Sequence, residues 1–250
     1  MPVSPITGKT DLVTCKLFAG GVELGGEYQV LEIEIEKAVN KISTARIVLT
    51  MEYESGENKI FESSEESKLA PGVEIELQLG YHATDTSVFK GLIVNIGIRA
   101  YGSMNQLILD CSDKAVKMTL DKKNKYFKDK TDSAILSGII RDNGLKASVD
   151  STSYTFKQLI QYYATDWDFI RLRAEANGLL IYADGGEVFV KKPGVGEAAD
   201  LEVSYGKDVI SIDGKVESRF QIPSIKAHGW SMSDQKITEG VSTEPTVNAH

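Results

Sequence analysis

Cysteine is almost missing from this chain. There are two, Cys15 and Cys111, each in an alternating apolar stretch (LVTCKLF and LILDCSD). Thiols so placed read as reduced and buried, the usual state in a reducing compartment, although sequence alone leaves a disulfide open. Histidine is equally sparse. His82, His228 and His250 stand far apart, and none has a Cys, His or carboxylate at ligand spacing, so no structural or catalytic metal is expected. Long apolar runs are lacking too: nothing approaches the roughly 18–20 residues needed to cross a bilayer. The N-terminus, MPVSPITGKTDLV, has no basic segment ahead of an apolar one, so no signal peptide is expected and the cytoplasm is the expected site of synthesis. Finally, positive charge is in deficit. With 36 acidic against 28 basic residues the net charge is −8, which disfavours phosphate backbones, and hence nucleic acid, as partners.

Signatures of catalysis are missing as well. Gly8-Lys9-Thr10 has the last letters of a phosphate-binding loop. Val3 stands where the first glycine belongs, however, and no strand can precede the loop so near the N-terminus. GGVELGG at 20–26 lacks dinucleotide-binding spacing and lies between strand-like runs, so it reads as a turn. No GxSxG elbow supplies a hydrolase nucleophile. Asp166 and Asp168 are near enough to suggest a glycosidase-type carboxylate pair. Thr165 before them gives a simpler account: it is the N-cap of a helix whose first turn holds acids that complement the dipole. No catalytic residue, metal or cofactor is assigned, and an architectural rather than enzymatic protein is expected.

What is present is alternation. Hydrophobic residues make up 42%, enough for a core. YQVLEIEIEKAV sets Leu31, Ile33 and Ile35 against Val30, Glu32, Glu34 and Glu36, a half-buried strand. VEIELQLGY does the same with Val73, Ile75, Leu77 and Leu79. Residues 11–112 read as six or seven short strands, the pattern of a barrel or sandwich, interrupted by a polar, acidic loop at 52–72. Helical spacing follows at 129–143, where Ile135, Leu136, Ile139 and Ile140 share a face and Gly144 closes the turn. KASVD reads as a strand, TFKQLIQYYA as a second helix, and LLIYADGGEVFVKK as a hairpin turning at Asp184-Gly185-Gly186. More strands follow (LEVSYG, VISIDGKVE, IKAHGW), and the tail SMSDQKITEGVSTEPTVNAH loses periodicity and reads as a linker. Residues 30–48 and 209–227 echo each other weakly, which raises the possibility that a barrel occurs twice.

The helix TDWDFIRLRAEANG is the least ordinary segment. At about 100° per residue, Trp167, Ile170 and Ala174 fall on one side, and Phe169, Leu172 and Ala176 nearly opposite. Asp168, Arg171 and Glu175 fill one strip between them and Arg173 the other. A surface helix needs a single apolar face. Two faces imply either a helix held between two layers of its own protein or one that meets a partner subunit. On the second reading the interface residues are Trp167, Phe169, Ile170, Arg171 and Arg173, with Thr165 and Asp168 as the cap.

The same segment, TDWDFIRLRAEANGLLIYADGGEVFVKKP, resembles the DWDF…AE-x-NG region of the VgrG and phage late-control D family. LAPGVEIELQLGYHATDTSVFKGLIVNIGIR resembles that family's PG…GY…F-x-G element, and LVTCKLFAGGVELGGEYQVLEIEIEKAVNKISTARIVL resembles its Bacteroidetes type VI form. The resemblance spans residues 11 to about 230. It implies a mainly β fold with a few helices (α+β), phage tail-hub-like, with two related β-barrel domains joined by a helical segment. The implied boundaries are 1–125 for the first barrel, 126–178 for the helical link, 179–232 for strands completing the second barrel, and 233–250 for a linker toward a spike region. The implied role is the hub of a contractile injection machine: a homotrimer forming a pseudo-hexameric ring that adapts a six-fold, Hcp-like tube to a three-fold spike. Spike, effector and baseplate proteins are the implied partners, with assembly in the cytoplasm, export on firing, and no membrane insertion by this region. A phage tail hub, or a non-catalytic carbohydrate-binding β-barrel with exposed strand aromatics, are the alternatives.

Overall fold

A computed structural model of the chain describes residues 13–25, 28–51, 69–81, 84–101, 104–194, 198, 202–206, 209, 211–215 and 224–242. The described residues fall into two compact units, one within Lys9–Ala198 and a smaller one within Ala199–His250. Most of the acidic segment expected to be a loop at 52–72 lies outside the described residues, as do residues 210 and 216–223 of the weak repeat at 209–227.

Alternation builds the first layer of the larger unit. β1 (Thr14–Ala19), β2 (Val22–Glu23), β3 (Tyr28–Glu36), β4 (Thr44–Met51), β5 (Glu74–Tyr81), β6 (Thr84–Tyr101) and β7 (Met104–Ser112) form an antiparallel sheet in the order β2-β1-β5-β6-β7-β4-β3. Leu17 faces Leu77 across β1 and β5, and Ile47 faces Leu109 across β4 and β7. These residues, with Phe89 and Ile93, share one buried side, since period two keeps the apolar set on one surface. Gly91 lets β6 and β7 approach: a Cβ there would lie 2.3 Å from the Ser112 carbonyl oxygen. The sheet is mainly β as expected, but it is not a closed barrel. β2 offers only two residues of ladder at one end, and β3 is the last strand at the other. Closure needs a continuous ladder between the two edges.

The second layer follows in sequence. A 3₁₀ helix (Lys114–Thr119) leads to β8 (Lys122–Thr131), α1 (Asp132–Asp142), β9 (Lys146–Val149), β10 (Thr155–Thr165), α2 (Asp166–Ala176), β11 (Leu180–Asp184) and β12 (Glu187–Lys191). β11 and β12 form the expected hairpin, and β9 joins β12 in parallel. β8 and β10 pair separately as a two-stranded ribbon. Ile135, Leu136, Ile139 and Ile140 of α1 pack with Trp167, Phe169 and Ile170 of α2 and with Ile181, Val188 and Val190 of the hairpin, forming a second core.

Three expectations are corrected. Residues 155–164 form strand β10, not a helix. The described part of 179–232 forms no closed barrel: β11 and β12 belong to a three-stranded mixed sheet, and among the described residues β13 (Ile225–Ser231) pairs only with β14 (Lys236–Ser242). β14 itself lies in the tail expected to be a linker. Its residues Ile237 and Val241 sit an even number apart with polar neighbours, a strand pattern too short to stand out.

Candidate functional site

The helix singled out by sequence is α2, and its fold explains its two apolar flanks. Phe169, Arg173, Asp166, Ile170, Ala174 and Trp167 follow one another around the helix within an arc of about 160°. Of these only Arg173 is not buried. Of the second apparent face only Phe169 joins this arc, while Leu172 and Ala176 are exposed, so the helix has one broad buried face whose middle is ionic. Asp166 accepts from Lys123 Nζ (2.5 Å), Asn143 Nδ2 (2.8 Å) and Gln161 Nε2 (2.9 Å). Arg173 donates through Nε and Nη2 to the two oxygens of Asp132, both at 2.7 Å, and Asn177 Nδ2 adds a third bond to the same carboxylate. Buried charges persist only when paired and hydrogen-bonded in this way.

This places the expected interface residues. Trp167, Phe169 and Ile170 lie in the chain's own core. Arg173 is engaged with Asp132, while Arg171 points to solvent. Thr165 caps the helix, accepting from Asp168 N at 3.0 Å and donating to Asp168 Oδ2 at 2.7 Å. Asp166 and Asp168 do not form an acid–base pair. Burial pushes the Asp166 carboxyl up, but the bonds from Lys123, Asn143 and Gln161 outweigh it and hold the pKa below the usual value, the reverse of what a general acid requires.

What α2 supports is more informative than α2 itself. Phe127 of β8 stacks on Phe169 with ring centroids 5.8 Å apart, and Leu159 and Ala164 of β10 pack on the same core. The inner side of the β8–β10 ribbon is therefore anchored. Its outer side carries large exposed side chains: Tyr126 is 54% exposed, its cross-strand partner Ile160 59%, Tyr162 81% and Tyr163 64%. Lys122 and Lys128 flank them on β8, and Lys122 Nζ lies 4.5 Å from the centroid of the Tyr163 ring. Tyr163 has φ 44°, in the left-handed region that bulky residues avoid. The strain sits in a bulge between Gln161 and Ala164, where the Tyr163 N–H is satisfied by Asn124 Oδ1 at 2.9 Å. The bulge turns two consecutive tyrosines outward.

The ribbon is thus a rigid two-stranded platform with an apolar, aromatic and cationic outer face. Such a composition suits a protein contact. Sequence reasoning missed it because the strand β10 was read as a helix. The usable signal was in β8, where Lys123, Lys125 and Phe127 alternate with Lys122, Asn124 and Tyr126.

Other features offer less chemistry. A cleft of about 480 Å³ is lined by Glu74, Glu76, Lys90 and Lys114, but these charges are consumed in the pairs Lys114–Glu74 (2.5 Å) and Lys90–Glu76 (3.1 Å). Among the described residues no cluster of His, Cys, Asp and Glu could hold a metal, and no helix is long and apolar enough to cross a membrane.

Comparison with known proteins bears on the fold. The family model of the Alg8 N-terminal domain matches residues 9–250. No curated protein matches the sequence. Among solved structures, the 43 kDa tail protein of prophage MuSo2 from Shewanella oneidensis superposes with a TM-score of 0.69 at 14% identity, covering 96% of this chain and 71% of that one. A tail protein from Neisseria meningitidis gives 0.63 at 13% identity, over 95% of this chain and 69% of that one. An E. coli component of the type VI secretion system, described as structurally similar to the T4 phage tail proteins gp27 and gp5, gives 0.52 at 14% identity, over 71% of this chain and 48% of that one. At these identities the likeness is one of fold.

Proposed function

The chain belongs to the Alg8 N-terminal domain family, and from that premise and its phage-tail-like fold we propose that it is a structural, non-catalytic module of a tail or contractile-injection assembly. The observation that carries the reading is the tail-protein fold over nearly the whole chain, joined to an exposed aromatic and cationic face on a ribbon whose underside packs on the helical core. A fold whose ion pairs brace a helix beneath an exposed surface is suited to bearing load between subunits. In finer form, three copies make a pseudo-hexameric ring that joins a six-fold Hcp-like tube to a three-fold spike, with baseplate and effector proteins as further partners. Assembly takes place in the cytoplasm and export follows firing.

The test is native molar mass in solution, by light scattering over a wide concentration range. The reading expects a species near three times 27.4 kDa. A monomer at every concentration and salt sinks the self-assembly reading for this region.

A second reading is favoured by one observation. Exposed tyrosines on strands are what a glycan-binding module presents, and Tyr126 and Tyr162 are so placed. A glycan array decides it: saturable binding lost in Tyr162→Ala supports a carbohydrate module, and a blank array removes it.

A further inference from the structure

We propose that the outer face of the β8–β10 ribbon docks on the outer face of β3 in a second copy of this chain. The inference rests on the self-assembly reading above and names the two surfaces that meet.

The ribbon is a basic patch on an acidic protein. Lys128, Lys130 and Lys157 are exposed and make no ion pair among the described residues. With a net charge of −8, two copies repel each other over most of their surfaces. The lysine-bearing ribbon is where one copy can approach another without that cost, provided it meets carboxylates.

β3 presents them. Its inward residues Val30, Ile33 and Ile35 pack on the sheet's core. A bulge between Val30 and Glu32 places Leu31 and Glu32 outward together, and Glu34 follows. Leu31 is 49% exposed, and neither Glu32 nor Glu34 has an ion-pair partner among the described residues. Among the described residues β3 is also the last strand of its sheet.

The two faces match in kind. Each has an apolar centre, Leu31 on one and Tyr126, Ile160 and Tyr162 on the other. An edge lysine by itself is an ordinary guard against unwanted strand pairing. Here the lysines surround exposed aromatic surface, which a guard would not need. Because the two faces differ, the contact is head-to-tail, the type that closes into a ring when the rotation permits.

The experiment compares the association of four full chains by light scattering and sedimentation. They are the wild type, Lys128→Glu with Lys157→Glu, Glu32→Lys with Glu34→Lys, and the fourfold swap. All four positions are exposed, so thermal melting should show the fold intact in each. Each double variant is expected to weaken association about ten-fold or more, and the fourfold swap to restore it, because opposite charges again face each other. Carbodiimide cross-linking of mixed light and heavy-isotope wild-type chains should join Lys128 or Lys157 of one copy to Glu32 or Glu34 of another. If the wild type assembles and both double variants assemble equally well, the named contact is wrong while the assembly reading stands. Double variants that weaken without rescue by the fourfold swap also overturn the pairing. A wild type that never assembles overturns both together.

Discussion

Asp166 is fully enclosed, yet it is held ionised by Lys123, Asn143 and Gln161. The cost of desolvating a carboxylate is offset only while all three donors stay in place. Its folded pKa is depressed relative to the ordinary value near 3.8. A depressed carboxyl contributes stability that is present above the unfolded value and is lost as pH falls through the folded one. Stability of the wild type should therefore drop on acidification below about pH 4. Asp166→Asn, which cannot ionise, should flatten that acid limb while lowering stability at pH 7 by about 2 kcal/mol, since the amide turns one acceptor into a donor facing Lys123. Urea midpoints measured from pH 3 to pH 7 check this. An unchanged acid slope in the variant removes Asp166 as the group responsible. Asp113 shifts the other way, raised first of all by burial, so its contribution falls as pH rises over the same range and partly masks the trend in the wild type.

At the scale of the element, α2 separates buried from exposed apolar residues in a way that sequence position alone does not suggest. Ile170 is fully buried, while Leu172, two residues on, is 58% exposed. Ile170→Ala should cost about 2–5 kcal/mol through the cavity it leaves. Leu172→Lys should change stability by less than about 0.5 kcal/mol. Thermal or denaturant melts of the two variants check the assignment, and a large loss for Leu172→Lys would mean that the arc is drawn wrongly. The strands of the first sheet and helix α1 were legible because their periods are clean, except in β3, where a bulge turns Leu31 outward and Val30 inward against the alternation read from sequence. In β10 the apolar residues Phe156, Leu159, Ile160, Tyr163 and Ala164 fall at helical spacing. The cause is the bulge at Tyr162–Tyr163, which adds one residue, and the left-handed turn at Asp129 in the partner strand. Such irregularities carry no sequence mark, and here they lie in the candidate surface itself. Likewise the ionic centre of the α2 face depends on Lys123 and Asp132, which are 43 and 41 residues from their partners. No local window contains both members of either pair.

At the scale of the whole larger unit, two separate cores must behave as one. The sheet core and the helical core are joined through the segment between β3 and β4 and through the start of the 3₁₀ helix. Asn40 N donates to Ile181 O at 2.6 Å, and Asn40 Oδ1 accepts from Ile181 N at 3.2 Å. Ser43 Oγ donates to Ala183 O at 2.6 Å, and Ser43 O accepts from Asp113 N at 2.9 Å. Asp113 then closes the junction by accepting from Ala115 N (2.8 Å) and Gly186 N (2.9 Å). One buried carboxylate thus ties the end of β7, the 3₁₀ helix and the turn of the β11–β12 hairpin. These polar bonds couple the two cores, and a buried N–H left without a partner costs about 1–3 kcal/mol. The wild type should unfold residues 9–198 in one transition, with calorimetric and van't Hoff enthalpies in agreement. Asp113→Ala strands two amide donors at the junction. It should lower stability by about 2 kcal/mol or more and make the van't Hoff enthalpy smaller than the calorimetric one, as the helical core melts ahead of the sheet. Hydrogen exchange would then show β11 and β12 losing protection before β4 and β7. Coincident loss in both cores would show that the coupling does not run through Asp113, and that the shared chain between β7 and β8 is sufficient to hold the two cores together.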